Sequence, residues 1–302
     1  MKKILITGGT SFVSKYAAHY FLKRSCKVYV LNRNTKKQVD GTILIKADRH
    51  NLHDKLKDFH FDIVVDITAY DAADIIDLTN SLASFGQYIL VSSSAVYPDN
   101  GIQPFTETSE RGSNTFWGKY GTDKIEAENI LLQKVPNAYI LRPPYLYGPM
   151  NNIYREAFVF DCAKNDRPFY LPKNGEMKLQ FFHVKDLCRI IEKIIEATPD
   201  EHILNVGNEK SVSIKEWVTL CYSCFGKTPI FVNVNKNIEQ RNYFCFYNYE
   251  YSLDIQKQKK LLSDTITLDE GLKDAADWYS GNEQEVRKKD YITYIEEHLN
   301  NI

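Results

Sequence analysis

The sequence predicts an α/β protein: a doubly wound parallel sheet with a smaller, irregular C-terminal lobe. Three observations carry that expectation. Short apolar runs bounded by turn residues alternate with segments of helical spacing through the first half of the chain. The first run ends in paired glycines, Gly8-Gly9, and a helical pattern opens directly after it. Beyond Pro143-Pro144 and Gly148-Pro149 the alternation gives way to irregular, aromatic and lysine-rich sequence.

The elements follow in order. Ile4 to Ile6 is a short apolar run ending at glycine, as a buried parallel strand does. Ala17, Ala18, Phe21 and Leu22 then recur at helical spacing. Lys27 to Leu31, Thr42 to Ile45, Phe61 to Ile67 and Gln87 to Val91 read as the second to fifth strands. Helical spacing returns across residues 72 to 83, and a strong helix over residues 119 to 134 precedes Ala138 to Arg142. Right-handed crossovers bring the carboxyl ends of such strands to one edge, where ligands bind. The final forty or so residues read as helical and surface-rich.

Composition narrows the function. The chain has 302 residues and a formal net charge of -1. That is room for two domains and a core of ordinary size, with no basic excess to grip a phosphate backbone. The balance argues against nucleic acid as a partner. The apolar run after Lys2-Lys3 is too short for a secretory core, and no stretch approaches the ~18 apolar residues of a membrane span. A cytoplasmic location is expected, without a disulfide framework for the six cysteines. Cys221 and Cys224 form a lone C-x-x-C with no second pair, which favours buried thiols over a metal site. His50 and His53 read as solvated polar residues, and no metal is expected.

The turn after the first strand holds the first chemistry. A dinucleotide pyrophosphate sits at a helix N-terminus, where free N–H groups and the helix dipole face it. Glycine usually stands at three positions of such a turn. Here Gly8 keeps the first, while Ser11 and Ser14 take the others. Both replacements are small, and Ser11 adds a hydroxyl near the phosphates. At the end of the second strand an acidic residue usually holds the adenosine ribose. Asn32 takes that position, with Arg33 next to it. An uncharged residue plus a guanidinium suits a 2′-phosphate, so NAD(P) is expected, with NADP favoured. After the third strand, Asp48 offers an acceptor to an adenine amino group.

Tyr120 and Lys124 stand at i and i+4 on one helix face, at the start of the helix that follows the fifth strand. A phenol titrates near ~10, so it needs a neighbouring cation to act as a base at neutral pH. Lys124 is placed to supply one. Ser92, Ser93 and Ser94 follow the fifth strand, and one of their hydroxyls could orient a substrate hydroxyl for Tyr120.

With these residues assembled, the sequence resembles the extended, atypical short-chain dehydrogenase/reductases of the NAD(P)-dependent epimerase/dehydratase group, over nearly its whole length. The carriers are Thr7-Gly8-Gly9-Thr10-x-Phe12-Val13, Ser92 to Tyr97, Tyr120-Gly121-x-x-Lys124 with Glu126 to Glu128, and Leu141 to Pro149. Phe182 to Leu187, Leu204 to Gly207, Leu268 to Leu272 and Trp278-Tyr279 continue them. The Asn32-Arg33 pair, Ala47-Asp48-Arg49 and Val65 to Ala69 resemble the branch of the chloroplast stem-loop-binding proteins and their bacterial relatives.

The resemblance implies a Rossmann-type dinucleotide-binding domain over 1–145 and 176–206, and a substrate-binding lobe over 146–175 and 207–302. It implies Ser93, Tyr120 and Lys124 as catalytic residues. Cofactor contacts would fall on Gly8, Thr10, Ser11, Phe12, Val13, Asn32, Arg33, Asp48, Thr68, Tyr120, Lys124, Pro143 and Leu146. It also implies a sugar-nucleotide substrate and a homodimer through helices flanking the fifth strand. Three functions compete: hydride transfer to and from a sugar or nucleotide-sugar hydroxyl, NADPH-dependent ketone reduction, and cofactor sensing or RNA binding on the same fold. Arg142 reads equally as a structural ion-pair partner or a ligand contact, His183 as a core histidine, Lys178 as a phosphate ligand or a solvated charge, and the aromatic stretch 243 to 251 as core.

Overall fold

The computed structural model describes residues 1–235 and 237–299. Among the described residues the chain divides into two compact units. Unit 1 comprises Met1–Pro144, Val184–Gly207 and Leu253–Thr265, and unit 2 comprises Tyr145–His183, Asn208–Ser252 and Ile266–Ile302.

Unit 1 is built on β1 (Lys3–Thr7), β2 (Lys27–Asn32), β3 (Ile43–Lys46), β4 (His60–Asp66), β5 (Ser84–Val91) and β6 (Tyr139–Arg142). With the strand Ile203–Asn205 they form one seven-stranded sheet, ordered Ile203–Asn205, β6, β5, β4, β1, β2, β3. Every pairing in it is parallel. This is the Rossmann-type doubly wound sheet that the sequence predicts, with the order reversing beside β1. Leu5, Leu31, Val64, Leu90 and Ile140 pack toward α2 (Ala72–Ser81) and α3 (Lys119–Lys134), sharing a core with Ile75, Leu78, Ala127 and Leu131. The alternate positions Ile4, Ile6, Val28, Val30, Ile63 and Val65 are buried as well. Burial on both faces is why these strands read as continuous apolar runs.

Leu253–Thr265 belongs to unit 1, whereas the sequence assigned it to the second lobe. The reason is a fully buried glutamine. Gln258 accepts from the Gly207 N–H at 2.7 Å and donates to the Gly207 carbonyl at 3.1 Å, a backbone-like pairing invisible to hydrophobic periodicity. Residues 176–183, assigned to the first domain by sequence, fall in unit 2, where Phe181–His183 pairs with Tyr145–Tyr147. In unit 2 the aromatic stretch packs inward. Phe244 and Phe246 are buried against Trp217, and Phe181 stacks on Trp217 at 5.7 Å.

The serine-bearing loop after β5 is held by a buried ion pair. Arg142 grips Glu128 bidentately, Nε to Oε1 at 3.0 Å and Nη2 to Oε2 at 2.6 Å. Ser92 Oγ donates to the same carboxylate at 2.6 Å, and Arg142 Nη1 donates to the Tyr97 hydroxyl at 2.9 Å. Arg142 is therefore structural. Arg142→Met should cost about 3 kcal/mol in urea unfolding, because it leaves the buried Glu128 carboxylate with one cation, Arg111 Nη1 at 2.9 Å, in place of two. Glu128→Leu/Arg142→Met should cost less than Arg142→Met alone.

Candidate active site

The chemistry-bearing residues of unit 1 gather at the carboxyl edge of its sheet. β1 runs into Gly8 and Gly9 at φ 90° and 92°, the left-handed region that glycine alone enters without penalty. A Cβ on Gly9 would lie 2.5 Å from Val30, and one on Gly8 would lie 2.8 Å from Ser14 Oγ, so both positions also need the missing side chain. α1 (Phe12–Leu22) starts at the N-cap Ser11, whose side chain makes no capping bond. Its first N–H groups are thus not satisfied by their own cap, which is the arrangement an anion completes. Phe12, buried, holds a positive φ of 35°. Ser14 Oγ donates to the Ser11 carbonyl at 2.9 Å and packs under the turn without crowding it. Thr10 and Val13 lie on the turn and in the first turn of α1.

The end of β2 grips the turn from the other side. The Gly8 N–H donates to the Leu31 carbonyl at 2.9 Å, and Asn32 Nδ2 donates to the Gly8 carbonyl at 2.6 Å. Asn32 Nδ2 also meets Gln38 Oε1 at 2.9 Å, and its Oδ1 accepts from the Asn34 N–H at 2.8 Å. The amide in the acidic position is therefore used on the protein's own turn. Arg33 is exposed beside it. Lys36, which sequence reasoning passed over, reaches back to Ser11 Oγ at 3.2 Å. Asp48 is exposed, with Oδ1 accepting from the His50 N–H at 3.1 Å.

Below this edge lies a charged node with no sequence motif. Asp66, fully buried at the end of β4, accepts from Thr7 Oγ1 at 2.7 Å, Tyr88 OH at 2.7 Å, and Arg49 Nη1 and Nη2 at 3.2 and 3.0 Å. Burial pushes its pKa up, but the Arg49 charge and these hydrogen bonds outweigh it and hold the carboxyl below its usual range. Arg49 also donates to Thr68 Oγ1 at 3.0 Å and contacts Asp74 Oδ1 at 2.8 Å. The Thr68 N–H donates to Thr7 Oγ1 at 3.0 Å. The one available signal was Asp66 itself, a carboxylate inside an apolar strand that demands a cation.

Tyr120 and Lys124 share a face of α3. Tyr120 is 38% exposed, and the Lys124 ammonium lies 5.9 Å from its ring centroid. Lys124 is buried and donates to the carbonyls of Ala69 at 2.6 Å and Val91 at 3.2 Å. Gly121 explains the glycine in this motif: a Cβ there would sit 2.4 Å from the Ala95 carbonyl oxygen, so only glycine lets α3 abut the serine loop. In that loop Ser93 Oγ accepts from the Ala95 N–H at 3.1 Å. The Pro143 carbonyl accepts from the Ser94 N–H at 2.9 Å, anchoring the loop from the end of β6. Leu146 lies in unit 2, on the strand Tyr145–Tyr147.

In unit 2, His183 is fully buried, edge-on to Tyr147 at 5.2 Å, with Asp274 Oδ2 at 3.6 Å from Nε2. A cleft of about 390 Å³ is lined by Lys178, Lys210, Ser211, Glu250, Tyr251 and Ser252. The Lys178 main-chain N–H donates to Glu250 Oε2 at 2.7 Å.

Burial lowers the Lys124 pKa from 10.5 to about 8, against the opposing pull of Asp66, Glu128 and Asp74. The unfolded chain then binds more protons than the folded chain between those two values. Lys124 therefore adds to stability as pH climbs through that window, and not below it. Urea unfolding of the wild type and Lys124→Met should show a difference moving in the wild type's favour from pH about 8 to 10. A difference flat with pH would refute the burial argument.

Comparison with known proteins agrees with this architecture. The chain is 27% identical to the chloroplast stem-loop binding protein of 41 kDa b of Arabidopsis thaliana, over 97% of this chain and 83% of that protein. It is similar in structure to a UDP-glucose 4-epimerase of Thermotoga maritima solved with UDP-glucose, at 17% identity and a TM-score of 0.74, covering 93% and 99% of the two chains. A dTDP-glucose 4,6-dehydratase of Bacillus anthracis, solved with NAD, aligns at 18% identity and a TM-score of 0.73, covering 95% and 99%. Residues 4–207, more than half of the chain, match the NAD dependent epimerase/dehydratase family, and the chain belongs to that family.

Proposed function

We propose that this chain is an NAD(P)-dependent enzyme that acts on a hydroxyl of a sugar or nucleotide sugar. The observation that carries the reading is Lys124, a buried ammonium beside the partly exposed Tyr120 phenol, at the sheet edge that also holds the glycine turn. The uncapped start of α1 and the left-handed turn at Gly8 and Gly9 that leads into it fit a pyrophosphate. When bound, the nicotinamide supplies the hydride acceptor and donor. The chain's own residues manage the proton. Tyr120 takes it from the substrate hydroxyl, helped by the positive field of Lys124. Ser93, on a loop fixed by the Glu128–Arg142 pair, orients that hydroxyl. Hydride returned to the opposite face of the resulting ketone, with the proton given back by Tyr120, would give epimerisation without net redox. Taken by itself, unit 2 has a cleft whose Lys178 and Lys210 amines suit a phosphate.

A second reading, net reduction of a ketone with NADPH, draws on Arg33 and on Lys36 at the α1 cap. A third, RNA binding, draws on the plant relative's name; the net charge of -1 opposes it.

Tyr120→Phe should lower turnover of an identified substrate by about 10²–10⁴-fold. It should leave intact the thermal shift produced by NAD⁺ or NADP⁺. Undiminished turnover would sink the proposed role, and calorimetry silent with both nucleotides would sink the cofactor reading. Arg33→Ala/Lys36→Ala should weaken NADP⁺ about tenfold more than NAD⁺ in the same titration. Equal losses would place these cations off the 2′-phosphate.

A further inference from the structure

Beyond Tyr120, Lys124 and Ser93, one side chain stands at the acid–base pair without an assigned part. Tyr70 follows the end of β4. Its ring centroid is 5.4 Å from the Lys124 ammonium and 6.3 Å from the Tyr120 ring, tilted by 57°. It is 57% exposed, so burial of the ring is a weak reason for its presence.

Its backbone is nevertheless clamped. The peptide joining Ala69 to Tyr70 gives its carbonyl oxygen to Lys124 at 2.6 Å and its N–H to Asp74 Oδ2 at 2.6 Å. That peptide dipole thus lies between a positive charge at its oxygen and a negative charge at its hydrogen, each at the favourable end. Asp74 is itself held by Arg49, with Nε 2.8 Å from Oδ1 and Nη2 donating to the Asp74 carbonyl at 2.7 Å. Moving Tyr70 means breaking charge-assisted contacts at both ends of one peptide. An ammonium has three donors, and the Ala69 and Val91 carbonyls take two of those on Lys124.

We propose that Tyr70 is a positioning residue of the acid–base site: its ring, carried on a clamped peptide, covers the Lys124 ammonium, excluding bulk water and keeping the remaining donor for a ligand oxygen. This rests on the reading of Tyr120 and Lys124 as the acid–base pair. A cation facing a ring is stabilised without solvent, the more so when it is desolvated. The lowered pKa of Lys124 agrees with an ammonium kept from water. Around it stand the carboxylates of Asp66, Glu128 and Asp74, the Arg49 guanidinium and the Tyr120 phenol.

The test is acylation of Lys124 by acetic anhydride in the full chain without nucleotide, read by peptide mass spectrometry. It uses the alkaline limit, where the amine is unprotonated in every variant. The exposed Lys119 on the same helix is the internal reference. Tyr70→Ala should label Lys124 about fivefold faster or more relative to Lys119, while Tyr70→Phe, which keeps the ring, should match the wild type. Tyr70→Leu replaces the alanine variant if that one melts early, since it too removes the ring. A folded ring-less variant labelling within about twofold of the wild type would overturn the proposal, as would equal acceleration in Tyr70→Phe. The labelling needs neither cofactor nor substrate. Its failure is therefore distinct from failure of the functional reading, which the Tyr120→Phe turnover decides.

Discussion

The contact on which the rest of the site depends is the buried pairing of Asp66 with Arg49. A carboxylate at the end of a central parallel strand has lost its water and must be compensated in place. Arg49 does this and reaches further, to Thr68 and Asp74. Asp66 in turn holds Thr7 and Tyr88. One guanidinium thereby sets the end of β1, the end of β4 and the start of α2. The glycine turn is continuous with the first of these and the peptide that receives Lys124 with the second. The glycine turn and the helix bearing Tyr120 and Lys124 are aligned by the same charge.

A second buried pair, Glu128 with Arg142, does comparable work on the far side of β5. It binds α3 to β6 and pins Ser92 and Tyr97, the two ends of the loop carrying Ser93. Buried ion pairs of this kind add little net stability against well-packed apolar groups. Their value here is geometric: in the arrangement that satisfies them, Tyr120, Lys124 and the serine loop come to one edge. Gly121 then permits the approach that these pairs direct.

The strands of unit 1 were legible because both faces of a parallel sheet are buried, so β1, β2 and β4 announce themselves as apolar runs. Tyr120 and Lys124 were legible because helical spacing places i and i+4 together whatever the tertiary context. What could not be read was side-chain direction. Asn32 occupies the position that sequence marks, yet its amide faces Gly8 rather than outward. Arg49 lies in the turn after β3, and its partner is seventeen residues away at the end of β4. Such a pairing has no period. Lys36 reaches α1 from a loop. In unit 2 the strands are only two to four residues long, too short for any alternation to register.

The three-part make-up of unit 1 bears on how the protein is synthesised. The strand Ile203–Asn205 covers the edge of β6, and Gln258 secures the chain just beyond it. A nascent chain halted before the Val184–Gly207 stretch carries β6 with one side of its ladder open, a template for pairing with other chains. Completion of the sheet waits for residues that leave the ribosome long after its centre. Premature termination before Ile203 would thus yield a sticky fragment rather than a smaller working domain.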